Sequence, residues 1–186
     1  MRRPVGRVRR RTVLAQTRWR FIALALGMVV IALVLERSAT APIDADVGTS
    51  IPVSGVGQHV HDGDPISYAQ LPPVGGPHWP TPAPWGVSLQ TIPDERIVHN
   101  LEHGGVVISI NGIADAALQR LRSLLDEYPR DRYGEVKVVV RPYDKIPVGT
   151  IVLTAWGWTR TLPSVDEAKI KTFLGAHLDR CCENVP

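Results

Sequence analysis

The chain has 186 residues, 44% of them hydrophobic, and a formal net charge of +3. That charge is unevenly divided: residues 1–37 hold nine arginines and one acid (Glu36), whereas residues 38–186 hold twelve Lys and Arg against seventeen Asp and Glu. The acidic body of 149 residues suffices for one core but not comfortably for two, and no basic face remains on it to neutralise nucleic-acid phosphates.

Eight arginines, from Arg2 to Arg20, precede an unbroken apolar run from Phe21 to Leu35. As a helix this run spans about 22 Å, short of the roughly 30 Å hydrocarbon core of a bilayer. Trp19 at the interface and snorkelling by Arg20, Glu36 and Arg37 extend it to a workable length. The positive flank places the N-terminus in the cytoplasm and exports the body. The expected organisation is a basic cytoplasmic tail (1–18), a single-pass transmembrane anchor (19–37), a linker (38–57) and an extracytoplasmic domain (58–186). Cleavage after Ala39-Thr40-Ala41 is the competing reading, against which Pro42 would be an unusual residue to follow the site. In either case the body lies outside the cytoplasm; with the anchor retained, its location is the cell membrane, and no protein partner is indicated.

Between His59 and Pro93 lie eight prolines and several glycines, which forbid helix or central strand and predict long, packed loops. The segment His99–His103 reads as a short helical turn, with Thr91 as a cap, Pro93-Asp94-Glu95 as a first turn and Gly104 as its stop. Val106–Ile110, β-branched and ended by Asn111-Gly112, reads as a strand. Ile113, Ala117, Leu121, Leu124, Leu125 and Tyr128 form one helical stripe closed by Pro129. Val136–Val140 and Ile151–Trp156 read as two further strands. A capping box at Ser164 and Glu167 opens a last helix, which runs to about Asp179. The predicted class is α+β, a small β-α-β-β-α sandwich with two helices on one sheet face. A helical crossover allows the first two strands to be parallel, and the loop 143–150 suits an antiparallel pairing of the next two.

Five of the six histidines (His59, His61, His78, His99 and His103) fall within 45 residues of the loop-rich half. Imidazoles from separate loops are how a folded domain assembles a transition-metal site. The i, i+4 spacing of His99 and His103 puts both rings on one side of a helical turn beside Glu102, while His59 and His61 share a face only in extended chain. The candidate ligands are His61, His78, His99 and His103, with Glu102 as a further ligand or as the partner that orients an imidazole. His59 is the weakest of the five, and His177 reads as an ordinary residue of the last helix. Zinc or copper suits such a donor set best. The alternatives are a metal-dependent envelope hydrolase, with Glu102 as general base, and a non-catalytic envelope interaction module whose histidines satisfy loop carbonyls.

The letters His-x-x-Glu-His also match the inverted zinc-protease motif, but Gly104-Gly105 ends any helix where that motif needs one to continue. No phosphate loop and no nucleophile elbow occurs. Cys181 and Cys182 are adjacent, so they read as a vicinal disulfide, a link to another chain, or an incidental pair on the tail.

The order His61, Tyr68, Pro73-x-Gly-Gly-Pro-His78, Trp85-Gly86, Glu95 and Val98-His-Asn-Leu-Glu-His-Gly-Gly-Val106 resembles the bacterial family called domain of unknown function 3105, over roughly residues 57–180. The resemblance implies a membrane-anchored or exported protein without an established activity, and its motif histidines fall on His61, His78, His99 and His103. This chain departs from the pattern at Gly75, where serine is expected, and at Ile110, where tyrosine is frequent.

Overall fold

The computed structural model of the chain describes residues 47–183 and Val185. The basic tail, the anchor and linker residues 38–46 lie outside the described residues. Among those described, no helix is long and apolar enough to cross a membrane.

The elements in chain order are β1 (Thr49–Ser50), β2 (Gly86–Val87), α1 (Asp94–Glu102), β3 (Val106–Ile110), α2 (Asp115–Asp126), β4 (Val138–Pro142), β5 (Ile151–Ala155), β6 (Trp158–Leu162) and α3 (Glu167–His177). The strands form one mixed sheet in the order β1-β6-β5-β3-β4-β2. The fold is therefore α+β, as the hydrophobic patterning predicts.

Every residue of β3 is buried, because both faces of the sheet are covered. Alternation along the strand sends Val106, Ile108 and Ile110 into a core shared with Leu121 and Leu124 of α2 and Ile170, Phe173 and Leu174 of α3. Val107 enters a second core, with Val139, Ala83 and Ile97 and Leu101 of α1. The two predicted helices thus share one face. The third layer, α1 with the proline-rich loops, covers the other and makes the architecture deeper than a two-layer sandwich.

The parallel pairing of β3 with β4 follows the predicted crossover. The next pairing does not: β5 runs antiparallel to β3 rather than to β4. The far edge of β4 carries β2, and the connecting loop is drawn across the end of β3, where Gly149 N–H donates to Asn111 O at 2.7 Å and Asn111 Nδ2 to Ile146 O at 2.6 Å. β4 also begins two residues later than predicted and continues through Arg141-Pro142. A final strand position tolerates proline, and the Arg141 side chain has partners that keep it inside. The hairpin strand β6 lies outside the expected elements; Trp156-Gly157 is its turn, with Gly157 at φ +71°. The last helix is capped by Asp166, whose carboxylate accepts from Lys169 N–H at 3.1 Å, and not by Ser164.

Candidate metal centre

Helix α1 carries two of the candidate residues, His99 and Glu102, with His103 as its C-cap, and both of its ends are fixed. At its start, the fully buried Arg141 guanidinium pairs with Asp94 Oδ1 at 2.7 Å and donates to Ile92 O at 2.9 Å, while Tyr143 Oη donates to Asp94 Oδ2 at 2.9 Å. Burial, then the Asp94 carboxylate, holds the Tyr143 hydroxyl protonated well above the usual phenol range.

At the other end, Gly105 N–H donates to Asn100 O at 2.9 Å, and a Cβ on Gly105 would stand 2.6 Å from that oxygen and 2.7 Å from the Trp85 ring. Only glycine fits there. The Asn100 side chain meanwhile exchanges two hydrogen bonds of 2.8 Å with the backbone of Ala83, tying the proline-rich loop to the helix. The result is a helix of nine residues where a single turn at 99–103 is expected, because Ile97 and Leu101 gain a sheet face to pack on.

The second wall of the site is the loop strand through His59 and His78, which lie side by side in a parallel bridge. Val60 N–H donates to His78 O at 2.8 Å and His78 N–H to Gln58 O at 3.0 Å. This backbone pairing sets both rings against α1. Ring centroids of His59, His78 and His99 are 4.8–5.1 Å apart pairwise, and His99 and His103 are 4.5 Å apart.

Among the described residues, His59, His78 and His99 each offer a ligand nitrogen, all within 4.8 Å of one another, close enough to hold a metal ion. Two nitrogens on one tetrahedral zinc are about 3.3 Å apart, given Zn–N bonds of about 2.0 Å, so the rings must draw together slightly. His59, 42% exposed, is the ring with room to turn.

Hydrogen bonding of the rings aims the remaining nitrogens inward. His99 Nδ1–H donates to Trp79 O at 2.7 Å and His78 Nδ1–H to Gly76 O at 2.9 Å. A carbonyl only accepts, so each Nδ1 carries the proton and each neutral ring keeps its lone pair on Nε2. Backbone carbonyls on the distal nitrogen are the usual arrangement behind metal-bound imidazoles. His99 Nε2 stands 2.9 Å from His103 Nε2, and His78 Nε2 stands 2.9 Å from Glu102 Oε2. In each pair at least one partner is a lone-pair donor aimed at the other, so a proton or a cation must lie between them. Burial holds the His99 imidazole below its ordinary range. The Trp79 carbonyl opposes that shift, and His103, His78 and His59 add to it. The neutral form is the one that ligates.

Glu102 is completely buried. Its Oε1 accepts from Gly57 N–H, and its Oε2 faces His78 at 2.9 Å and His59 Nε2 at 3.7 Å. Of the residues expected from sequence, His78, His99, His103 and Glu102 converge. His61 does not join them. Its ring is exposed and its Nδ1 donates to Asp62 O at 2.9 Å, because the chain turns there, with Asp64 N–H donating to His61 O at 3.1 Å. His59, ranked last from sequence, takes the inward place. The His-x-His spacing carried a signal for one of the pair but not for which. Glu183, whose Oε2 lies 3.7 Å from His103 Nε2, left no signal at all, being eighty positions away in the chain.

Comparison with known proteins adds one family. The sequence profile described as "protein of unknown function (DUF3105)" matches residues 59–184, a span that holds every converging histidine, Glu102 and Glu183. No curated protein and no solved structure matches the chain.

Proposed function

The chain belongs to the DUF3105 family, and from that premise we propose that it is a membrane-anchored extracytoplasmic domain that binds one transition-metal ion through its histidine cluster. The observation that carries this reading is the convergence of His59, His78 and His99, within 4.8 Å of one another, beside the buried carboxylate of Glu102. His103 is the fourth imidazole, 2.9 Å from His99. Neutral imidazoles with one carboxylate suit zinc or copper. The arginine-rich leader and the apolar run that follows it support the anchored, exported location. Glu102 reads as the carboxylate that balances the charge of the ion, its Oε2 facing the same point as the His78 ligand nitrogen. It is completely buried and accepts from Gly57 N–H, which speaks against a general base meeting bulk water.

The test is elemental analysis of the purified full chain, followed by titration with zinc and copper. One ion per chain is expected, lost in His99→Ala. A protein that holds no stoichiometric metal and gains none on titration refutes the reading.

A further inference from the structure

Beyond helix α3 the chain does not fray. Residues 178–183 fold back over the C-terminal end of α1, with Asp179 N–H on Gly104 O at 2.9 Å and Glu183 N–H on Glu102 O at 3.2 Å. Lys137, buried just before β4, fastens this segment. Its Nζ pairs with Asp179 Oδ1 at 2.8 Å and donates to Val185 O at 2.6 Å and to His103 O at 3.3 Å. Gly104 permits the approach, since a Cβ there would meet Asp179 Cα at 3.1 Å. The strap ends with the Glu183 carboxylate 3.7 Å from His103 Nε2. Within it, Cys181 and Cys182 are joined to each other by a disulfide, and Cys182 is exposed.

We propose that this strap is a redox-controlled closure of the histidine site, opened when an external dithiol reduces the Cys181–Cys182 disulfide. Its effect on metal binding rests on the metal-site reading above. The exchange is balanced. A thiolate of the dithiol attacks the exposed Cys182 sulfur, forming a mixed disulfide and releasing Cys181 as a thiolate. The second thiol of the reductant then closes its own disulfide and frees Cys182. The cysteine pair gains two electrons and two protons, and the dithiol loses both.

The structural consequence follows from the backbone. While the disulfide closes a small ring through the shared peptide bond, Cys182 is held at φ +55°, in the left-handed region that cysteine otherwise avoids. Once the ring opens, Cys182 returns to negative φ. That rotation re-aims the next residue, Glu183, and both of its links to the site, the N–H on Glu102 O and the carboxylate facing His103, are lost together. The disulfide thus controls the site from outside it, and no cysteine needs to be a ligand.

The test compares the oxidised full chain, the same chain reduced with a phosphine, and the double variant Cys181→Ser/Cys182→Ser. Zinc affinity is measured by chelator competition, and amide hydrogen exchange is followed at Asp179 and Glu183. Zinc binding about tenfold weaker or more in the reduced and double-variant proteins, with faster exchange at both amides, is the expected result. Glu183→Gln should weaken binding in the oxidised form and abolish the response to reduction. Protected amides in the reduced protein overturn the proposal, as does zinc affinity that is unchanged or tightened. If the oxidised wild type binds no zinc, the metal reading fails by itself. The exchange measurement still decides whether the strap opens.

Discussion

Replacing Glu102 by glutamine separates a metal site from a hydrogen-bonded scaffold. The substitution keeps the shape of the side chain. Its amide oxygen can still accept from Gly57 N–H, and its amide nitrogen can donate to His78 Nε2, which stands 2.9 Å from Oε2 in the wild type. What is lost is a buried negative charge. At about 4 Å, a unit charge gains about 4 kcal/mol from that carboxylate at an effective dielectric of about 20. Most of that is offset by desolvation of the two groups, which leaves the ten- to hundredfold loss of affinity, about 1.4–2.8 kcal/mol, typical of removing a group that supports a metal ligand. Glu102→Gln should therefore weaken zinc binding by that factor in a chelator competition while leaving the thermal stability of the metal-free protein unchanged or slightly raised. The scaffold reading predicts the reverse. If His78 is an imidazolium ion-paired to Glu102, breaking the buried pair costs about 3–5 kcal/mol without any metal. A metal-free variant destabilised to that extent, with unaltered zinc binding, refutes the metal-site reasoning.

Zinc at a free concentration of about a hundred times its dissociation constant should add about 2.7 kcal/mol to the stability of the wild type. The gain should vanish with a chelator or in His99→Ala, as read by thermal denaturation. Arg141→Met strands the Asp94 carboxylate at the start of α1, with Tyr143 and the longer contact to Lys145 as its remaining partners. It should cost about 3 kcal/mol in denaturant unfolding, and an unchanged midpoint would show that Arg141 does not anchor the helix. His177 is held below the ordinary value of 6.5 by burial, against the opposing effect of its hydrogen bond to Val47 O. Below about pH 6.5 the unfolded chain therefore binds a proton that the folded chain resists, so stability falls as the pH is lowered. His177→Gln should make stability less sensitive to pH between about 7 and 5, and an equal acid sensitivity in the variant would contradict this.

Elements built from near neighbours were legible. Val106–Ile110 and the stripe of α2 announce themselves through periods of two and 3.6 residues, and the crossover that α2 makes from β3 to β4 implies their parallel pairing. Local pattern misleads where distant groups compete. Ser164 and Asp166 are both good caps, and the fold chose Asp166. Arg141-Pro142 looks like a strand end until the guanidinium has Asp94 and Ser109 to bind. β6 leaves no such signal, because a strand of Trp, Thr and Arg residues at the side of a sheet lacks the apolar run of a central one.

The histidine spacing by itself determined that this chain carries a concentrated imidazole chemistry. The order of residues around His99 and Glu102 also carries a resemblance to the family whose profile matches residues 59–184, because those letters are read directly. Only the tertiary structure decided that His59 rather than His61 faces the cluster, since one turn after Val60 separates them. It also decided that Glu102 is wholly enclosed between Gly57 and His78, and that Glu183 reaches His103. Each of these is a contact between segments far apart in sequence. Such contacts are set by which sheet face and which loop remain to be covered, and no local pattern encodes that choice.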